Sequence, residues 1–182
     1  MEFATKDHLN AFGAIIYHYA QAEAGIKIAL SGILDIGLGH MLILSEPYSS
    51  LQLRNVAKSI AKRRMAEGKH RDHFLNLVGD FGTFGPLRNF IAHSRWTEGV
   101  REGAIKPFGL DIRSGSVKLL GMKDDERDWT AEELNDEASK LKLLNANIIQ
   151  FMEDSGISAA IEAKIASSSD STEDEEGSST SD

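Results

Sequence analysis

The chain contains no cysteine, and only three of its 182 residues are proline. The lack of cysteine excludes a disulfide framework, a thiolate nucleophile and a zinc-thiolate site, and it suits a reducing compartment. No run of about 18 apolar residues occurs either, because the best candidate, residues 11–44, is interrupted by Glu23, Lys27 and Asp35. The first residues also lack the basic and then apolar order of a secretory signal. We therefore expect a cytoplasmic protein without a membrane partner.

Basic residues are absent from the last part of the chain. The formal charge is −8, and residues 167–182 contribute −6 of it through Asp and Glu side chains without a Lys or Arg. Such a Ser, Asp and Glu segment cannot bury enough apolar surface to offset the entropy of ordering it, so residues 167–182 are predicted to be a disordered tail. The other residues, 1–166, have the length and composition of one globular domain.

Apolar side chains recur at spacings of three and four residues, which predicts four main helices. They cover about 7–38, 50–67, 70–93 and 130–156, and a weaker helix covers about 158–166. Capping boxes start two of them, Ser49 with Gln52 and Thr130 with Glu133. Between the third and fourth main helices, residues 104–121 alternate apolar and polar side chains around a turn, which predicts a β-hairpin packed on the helices as a lid or a dimer flank. The expected fold class is all-α: an up-down helical bundle with this hairpin inserted.

One short segment, residues 87–96, mixes strongly polar side chains into an apolar helical pattern. Leu87 and Ile91 fit a packing helix, whereas Arg88, Asn89 and His93 do not. Asn89 and His93 are four residues apart and share a helix face, with Arg88 beside them. The three polar groups are therefore expected to converge.

Pro86 comes directly before this segment. Proline is tolerated in the first turn of a helix, so either a new helix begins near Pro86 or one long helix is kinked there. Both alternatives predict that Arg88 lies in the first turn of a regular segment.

The order Arg-Asn-x-x-x-His, formed by Arg88, Asn89 and His93, resembles the signature of HEPN domains. These are small helical modules, many of which are metal-independent endoribonucleases whose Arg and His meet their counterparts across a homodimer interface. The resemblance implies a HEPN-like bundle, a homodimer, an RNA substrate and no cofactor. Family use in toxin-antitoxin and defence systems further implies an antitoxin or another regulatory protein as a partner. Some such toxins carry Tyr two positions after the His, where this chain has Arg95, so modification at that position is not expected.

The three residue types suffice to cleave RNA without a metal, with the substrate's own 2′-hydroxyl as the nucleophile. The guanidinium of Arg88 would bind the phosphate and stabilise its growing charge. His93 would transfer protons to and from the reacting oxygens, and Asn89 would position the substrate. The alternative is a non-catalytic helical RNA-binding or protein-interaction module, in which Arg88 pairs with Glu23 and His93 only interacts with a helix C-terminus.

Glu23 lies on the apolar face of the first helix. A carboxylate there is costly unless it is paired. Since Arg88 is the comparable cation on a packing face, we predict that Glu23 supports the site by pairing with Arg88 or lying close to it. The alternative is that Glu23 lies at the edge of this apolar face and reaches solvent.

Basic side chains cluster on the outer face of the second predicted helix, and one more follows the motif. They are predicted to bind RNA phosphates, although such a run is also typical of a solvated helix face. The residues are Arg54, Lys58, Lys62, Arg63, Arg64 and Arg95. The acidic tail could compete with RNA for this surface, carry phosphoserine, or only keep the protein in solution.

His70 and His73 are three residues apart at the predicted start of the third helix. Two histidines at this spacing can share a metal ion. Because no cysteine joins them and no carboxylate-histidine pattern recurs elsewhere, we expect no metal site and assign both residues to a solvated helix start.

Overall fold

The computed structural model describes residues 3–113, 116–120 and 127–173. These residues form six helices and four strands. In chain order they are α1 Lys6–Leu34, α2 Leu38–Ser45, α3 Ser50–Arg64, α4 Lys69–His93, β1 Arg95–Glu98, β2 Ala104–Arg113, β3 Ser116–Leu120, β4 Trp129–Thr130, α5 Ala131–Asp154 and α6 Ile157–Glu173. The chain is therefore mainly helical, with a small antiparallel sheet between α4 and α5.

The chain divides into two compact units whose boundaries fall inside α1, α4 and α5. The first unit consists of Met1–Glu23 with Asp80–Ala146, and the second of Ala24–Gly79 with Asn147–Asp182. Each unit has its own buried apolar side chains. The expectation of one domain over residues 1–166 stays a prediction.

The core of the first unit is built on the inward face of α1. Ala11, Ile15 and Tyr19 are buried at intervals of four residues, as the apolar periodicity predicts for a helix with one packing face. The ring of Tyr19 stacks on Phe81 of α4, with ring centroids 4.6 Å apart. Tyr19 therefore ties α1 to the helix that carries the Arg-Asn-x-x-x-His motif.

The core of the second unit is aromatic at its centre. Phe74 of α4 and Phe151 of α5 stack with centroids 5.2 Å apart, and Ile26 and Leu30 of α1 are fully buried. Gly32 lets α1 and α6 approach closely, because a Cβ there would lie 2.5 Å from Cγ2 of Ile157. The second unit thus depends on a contact that a larger side chain would obstruct.

Two helix starts follow the capping chemistry that the sequence predicts. In α3 the Ser49 hydroxyl accepts from the backbone N–H of Gln52, and the Gln52 side chain accepts from the backbone N–H of Ser49. In α5 the Thr130 hydroxyl accepts from the backbone N–H of Glu133, and the Glu133 carboxylate accepts from that of Thr130. Both capping boxes are therefore confirmed.

The sheet is larger than the single hairpin that the sequence predicts. β2 and β3 pair antiparallel from Gly109 with Leu120 to Arg113 with Ser116, which confirms the hairpin. Ile105 of β2 also pairs with β1 on one edge and with β4 on the other. The mainly helical class is thus consistent with the prediction, but the segments on both sides of the hairpin add short strands to it. The up-down arrangement of the helices stays a prediction. The predicted turn at residues 114–115 lies outside the described residues.

Two helix boundaries also differ from the sequence prediction. α1 ends at Leu34 rather than near residue 38, because Asp35 adopts a left-handed backbone conformation with φ 59°. A separate helix, α2, then begins after Gly37, whose backbone is extended. α6 continues to Glu173 instead of ending near residue 166, since serine lowers helix propensity without forbidding a helix. The rest of the predicted tail, residues 174–182, lies outside the described residues.

Across the described ranges, no single helix is long and apolar enough to cross a membrane. α1 and α2 satisfy that criterion only when they are taken together, and a bend of 120° separates them.

Candidate functional site

The motif lies near the C-terminal end of α4, which runs from Lys69 to His93 with Pro86 inside it. The sequence left two alternatives at Pro86, and the structure has a single helix that passes through it. Both alternatives predicted that Arg88 lies in the first turn of a regular segment, and this is wrong. Arg88 lies five residues before the end of a 25-residue helix. Gly85 lies next to Tyr19 of α1, since a Cβ there would be 3.6 Å from the Tyr19 hydroxyl, an ordinary van der Waals distance.

Arg88 is half-buried, and its guanidinium lies against an aromatic ring of α1. The guanidinium carbon is 5.9 Å from the ring centroid of Tyr19, a distance at which a cation is attracted by the face of the ring. One N–H of Arg88, on Nη1, donates to Oδ1 of Asn89 at 3.4 Å. Because a guanidinium has five N–H donors, these contacts orient Arg88 and leave donors for an anion.

Asn89 and His93 are exposed and lie one helical turn apart. Within residues 3–113, 116–120 and 127–173, the His93 ring makes no hydrogen bond, ion pair or ring contact. His93 is the last residue of α4, where the helix dipole favours a positive charge. The structure thus brings Arg88 and Asn89 into contact and places His93 on the same face as Asn89, with its ring accessible.

The predicted ion pair between Glu23 and Arg88 stays a prediction. Glu23 is half-buried and follows Tyr19 by one turn on α1, so it lies on the helix face whose aromatic ring Arg88 covers. The contacts that the structure gives Arg88 are those to Tyr19 and Asn89. Tyr19, which sequence reasoning did not assign to the site, is therefore its main support, and its only sequence signal was its place in the apolar stripe.

Arg95 is exposed at the start of β1, two residues after the motif. The next residue, Trp96, packs on Phe12 of α1 with ring centroids 4.7 Å apart. This packing fixes the strand that carries Arg95. Arg95 therefore belongs to the same unit as Arg88, Asn89 and His93.

The other predicted RNA-binding residues lie on α3, which belongs to the second unit. Arg54 and Lys58 are half-buried, whereas Lys62, Arg63 and Arg64 are exposed. α3 contains no acidic residue, so this surface is basic. The assignment of these five residues to RNA stays a prediction.

His70 and His73 lie in the first turns of α4, in the second unit. With Lys69 and Asp154 they line a groove of about 560 Å³. In the part of the chain that the structure describes, no three His, Asp or Glu side chains are arranged to hold a metal ion. The ring of His73 instead makes an edge contact with Phe151, with centroids 5.8 Å apart.

A network of charged side chains that sequence reasoning missed connects the sheet to α5. The Arg101 guanidinium donates from Nε to Oδ1 of Asp128 at 2.6 Å and from Nη1 and Nη2 to the Glu133 carboxylate at 2.9 and 2.7 Å. Asp128 also accepts from the backbone N–H groups of Val100 and Arg101, both at 2.9 Å. These partners are 27–32 residues apart in the chain, so no local pattern could have indicated them.

The network shifts the pKa of each of its three ionisable groups. Hydrogen bonds from Arg101, and then from the backbone N–H of Thr130, lower the pKa of Glu133 to about 2. Burial raises the pKa of Asp128, but the hydrogen bonds from Arg101 and Val100 outweigh it and hold that pKa below its ordinary value. The same carboxylates raise the pKa of Arg101. All three groups are therefore ionised over the physiological range, which suits a structural clamp rather than proton transfer.

Comparisons with protein-family models, with curated proteins and with solved structures give no match for this chain. The resemblance to HEPN domains therefore depends on the motif from Arg88 to His93.

Proposed function

We propose that the protein is a metal-independent endoribonuclease of the HEPN type, with Arg88, Asn89 and His93 as its catalytic residues. The observation that supports this most is the state of the three side chains. Arg88 is held by Tyr19 and Asn89 with donors to spare, and His93 is exposed without a structural partner among the described residues. Exposed polar side chains are common, so the support comes from the combination: a guanidinium with unused donors, an amide that contacts it, and an accessible imidazole one helical turn from that amide.

In the proposed reaction, the 2′-oxygen of a ribose attacks the adjacent phosphorus and the 5′-oxygen of the next nucleotide leaves. The products are a 2′,3′-cyclic phosphate and a 5′-hydroxyl. Arg88 binds the nonbridging oxygens and stabilises the charge that grows on them. His93 takes the proton from the 2′-hydroxyl or gives one to the leaving oxygen. Asn89 holds Arg88 and the substrate in register.

One chain supplies one His93, whereas the reaction needs both a base and an acid. We therefore include a two-fold homodimer in the proposal, in which two HEPN-like bundles place their motifs face to face. Arg95 would bind a phosphate next to the cleaved bond. The enzyme would act in the cytoplasm. We include in the proposal a role as a toxin or in defence, with an antitoxin or another regulatory protein as its partner.

The second candidate is a non-catalytic RNA-binding or protein-interaction module. The contact of Arg88 with the Tyr19 ring favours it, because a residue that packs in this way has a structural role already. The two functions differ in what His93 does. If the protein is only a binding module, His93 has no reaction to catalyse, so wild type and His93→Ala should not differ in RNA cleavage.

The test is incubation of single-stranded RNA with wild-type and His93→Ala protein in excess EDTA, with chemical analysis of the fragment ends. We expect the wild type to give 2′,3′-cyclic phosphate ends and His93→Ala to be slower by about a hundredfold or more, the usual effect of losing an acid-base residue. Because His93 is exposed, the thermal unfolding midpoint of the variant should equal that of the wild type.

His40→Ala is the matched control, since His40 is also an exposed helical histidine. An oligonucleotide of the same sequence with 2′-deoxyribose should resist cleavage, because it lacks the nucleophile. Cleavage of that oligonucleotide, or equal activity of His93→Ala and the wild type, would rule out the proposed reaction.

A further inference from the structure

The second unit exposes four large aliphatic side chains close together in the chain. Leu42, Ile43 and Leu44 of α2 are 49%, 71% and 58% exposed, and Leu51 in the first turn of α3 is 57% exposed. We call these four residues the apolar tip. An isolated exposed leucine is ordinary, but three consecutive exposed aliphatic side chains with a fourth seven residues further on are not, and they point to a binding partner.

The shape of α2 indicates the kind of partner. Met41 and Ser45, one turn apart, are buried and attach the helix to its unit. The three exposed residues between them are consecutive, and each step along a helix turns by about 100°. They therefore spread over about 200° around the helix rather than forming one narrow stripe. Side chains that spread around a helix suit a fluid apolar medium, which can contact them from several sides, better than one flat and rigid surface.

The face of α3 that carries Leu51 is basic. Arg54, Lys58 and Lys62 follow Leu51 at spacings of three, four and four residues, so all four side chains share one face of the helix. We call these three cations the basic stripe. Residues 38–64 contain five Lys and Arg and one Glu, whereas the whole chain has a net charge of −8. Leu51 links the two features, because it belongs to the apolar tip and shares the face of the basic stripe, so a partner that offers both apolar groups and negative charges fits this surface.

We propose that the apolar tip and the basic stripe bind the surface of an anionic lipid bilayer. Acyl chains receive the side chains of α2, and acidic headgroups neutralise α3, as in other interfacial helices with an apolar and a basic face. RNA would neutralise the stripe but leave the tip in water. A second copy of the chain would cover the tip but bring two basic stripes together. This proposal departs from the expectation of no membrane partner, which depended on the lack of a spanning segment, and it assigns Arg54, Lys58 and Lys62 to lipid headgroups in place of RNA. The surface is separate from the proposed catalytic site.

The first test is co-flotation of the full chain with vesicles of phosphatidylcholine alone and with vesicles that also contain phosphatidylserine. We expect binding to the anionic vesicles, weaker at high salt, and little binding to the neutral ones. Ile43→Ser with Leu44→Ser should weaken binding by about tenfold or more, because two buried aliphatic side chains are lost. Lys58→Gln with Lys62→Gln should weaken it by a similar factor, because each cation near an anionic surface contributes a severalfold gain.

Leu143→Ser and Lys142→Gln are the matched controls, because both residues are exposed on α5 and lie in the first unit. Neither should change flotation. A second measurement uses Leu44→Trp, whose fluorescence should shift to shorter wavelength when anionic vesicles are added, whereas Leu143→Trp should show no shift. Circular dichroism checks that each variant keeps its helical content.

Three outcomes would overturn the proposal. Absence of flotation with anionic vesicles would leave an acidic and apolar protein, or a second copy, as the occupant, and the sedimentation coefficient of the free chain would distinguish them. Equal flotation with both vesicle types would refute the role of the basic stripe. A loss of RNA binding in Lys58→Gln with Lys62→Gln, together with unchanged flotation, would assign the stripe to RNA. Each of these readouts is separate from RNA cleavage, so the outcome does not depend on the proposed enzyme.

Discussion

The ionised carboxylate of Glu133 should make the stability of the protein depend on acid pH. It accepts two hydrogen bonds from Arg101 and one from the backbone N–H of Thr130. The informative substitution is Glu133→Gln. Glutamine keeps the capping box, because its side-chain oxygen accepts from the same backbone N–H. It removes the charge, and it places an amide N–H where Arg101 now finds an acceptor.

The magnitude follows from the lowering of the Glu133 pKa from 4.5 to about 2. At about 1.4 kcal/mol per pKa unit, a full effect would be about 3 kcal/mol. The Glu133 side chain is 39% exposed, so solvent screens the interaction and we expect about 1–2 kcal/mol. A carboxyl group whose pKa is lower in the folded state than in the unfolded state stabilises the fold. This contribution is complete at a pH above the pKa of the unfolded state, and it is lost as the pH falls through the pKa of the folded state. The difference between wild type and Glu133→Gln should therefore be constant above about pH 5 and vanish toward pH 2.

The assay is urea unfolding at a series of pH values, followed by tryptophan fluorescence and by far-UV circular dichroism. Both tryptophans, Trp96 and Trp129, lie in the first unit with the Arg101 network, so fluorescence reports on that unit. Glu132→Gln is the matched control, because it removes an exposed carboxylate from the same first turn of α5. A stability difference between wild type and Glu133→Gln that stays the same at pH 7 and at about pH 2 would refute this reasoning.

The remaining predictions concern local packing and capping in α1 and α3. Gly32→Ala should destabilise the protein by about 1–2 kcal/mol, because overpacking against Ile157 exceeds the gain in helix propensity. Gly13→Ala in the same helix meets no atom within 4 Å, so urea unfolding should show it to be neutral or stabilising by up to about 1 kcal/mol, and a destabilised Gly13→Ala would contradict the steric argument. Ser49→Ala should cost about 1 kcal/mol in the same assay by removing the capping hydroxyl of α3, whereas Ser49→Asp, which restores an acceptor, should recover most of it. Equal losses in both Ser49 variants would show that the cap does not contribute.

The parts of the fold that the sequence predicted are those with a local physical cause. The capping boxes of α3 and α5 involve residues three apart, and the hairpin of β2 and β3 involves neighbours joined by a turn. The apolar stripe of α1 likewise reflects a spacing that repeats along one helix. In each case the residues that interact are close in the chain, so their pattern can be recognised without knowing the rest of the structure.

The parts that the sequence missed depend on distant partners or on competing signals. β1 and β4 are only four and two residues long, and they form strands because each pairs with an edge of β2. α2 was missed because Gly37 and Gly39 indicated the end of a helix, whereas Gly37 instead precedes a new one. At Pro86 the sequence left open whether a new helix begins or one long helix is kinked, and only the structure shows that a single helix, α4, continues through it.

The sequence pointed to the residues of the candidate site, but not to the aromatic ring on which Arg88 packs. Arg88, Asn89 and His93 are noticeable because polar groups at helical spacing conflict with an apolar pattern, and that conflict is visible in the sequence alone. The contact of Arg88 with Tyr19 brings together residues that are far apart in the chain, and Tyr19 looked like any other core residue. Sequence reasoning turned to Glu23 as the partner of Arg88, because both are charged residues on packing faces, and that pairing stays a prediction.

The separation between exposed and packed side chains makes the functional tests interpretable. His93 and Asn89 are exposed, so a loss of RNA cleavage in their variants cannot be attributed to unfolding once the melting midpoint is unchanged. Asn76 offers a control for Asn89, because it is an exposed asparagine on the same helix. Arg88 is different, since its removal also withdraws a cation from the Tyr19 ring. Arg88→Lys keeps the charge and loses the planar fork of donors, so a variant that is stable but slow would assign Arg88 to the phosphate rather than to packing.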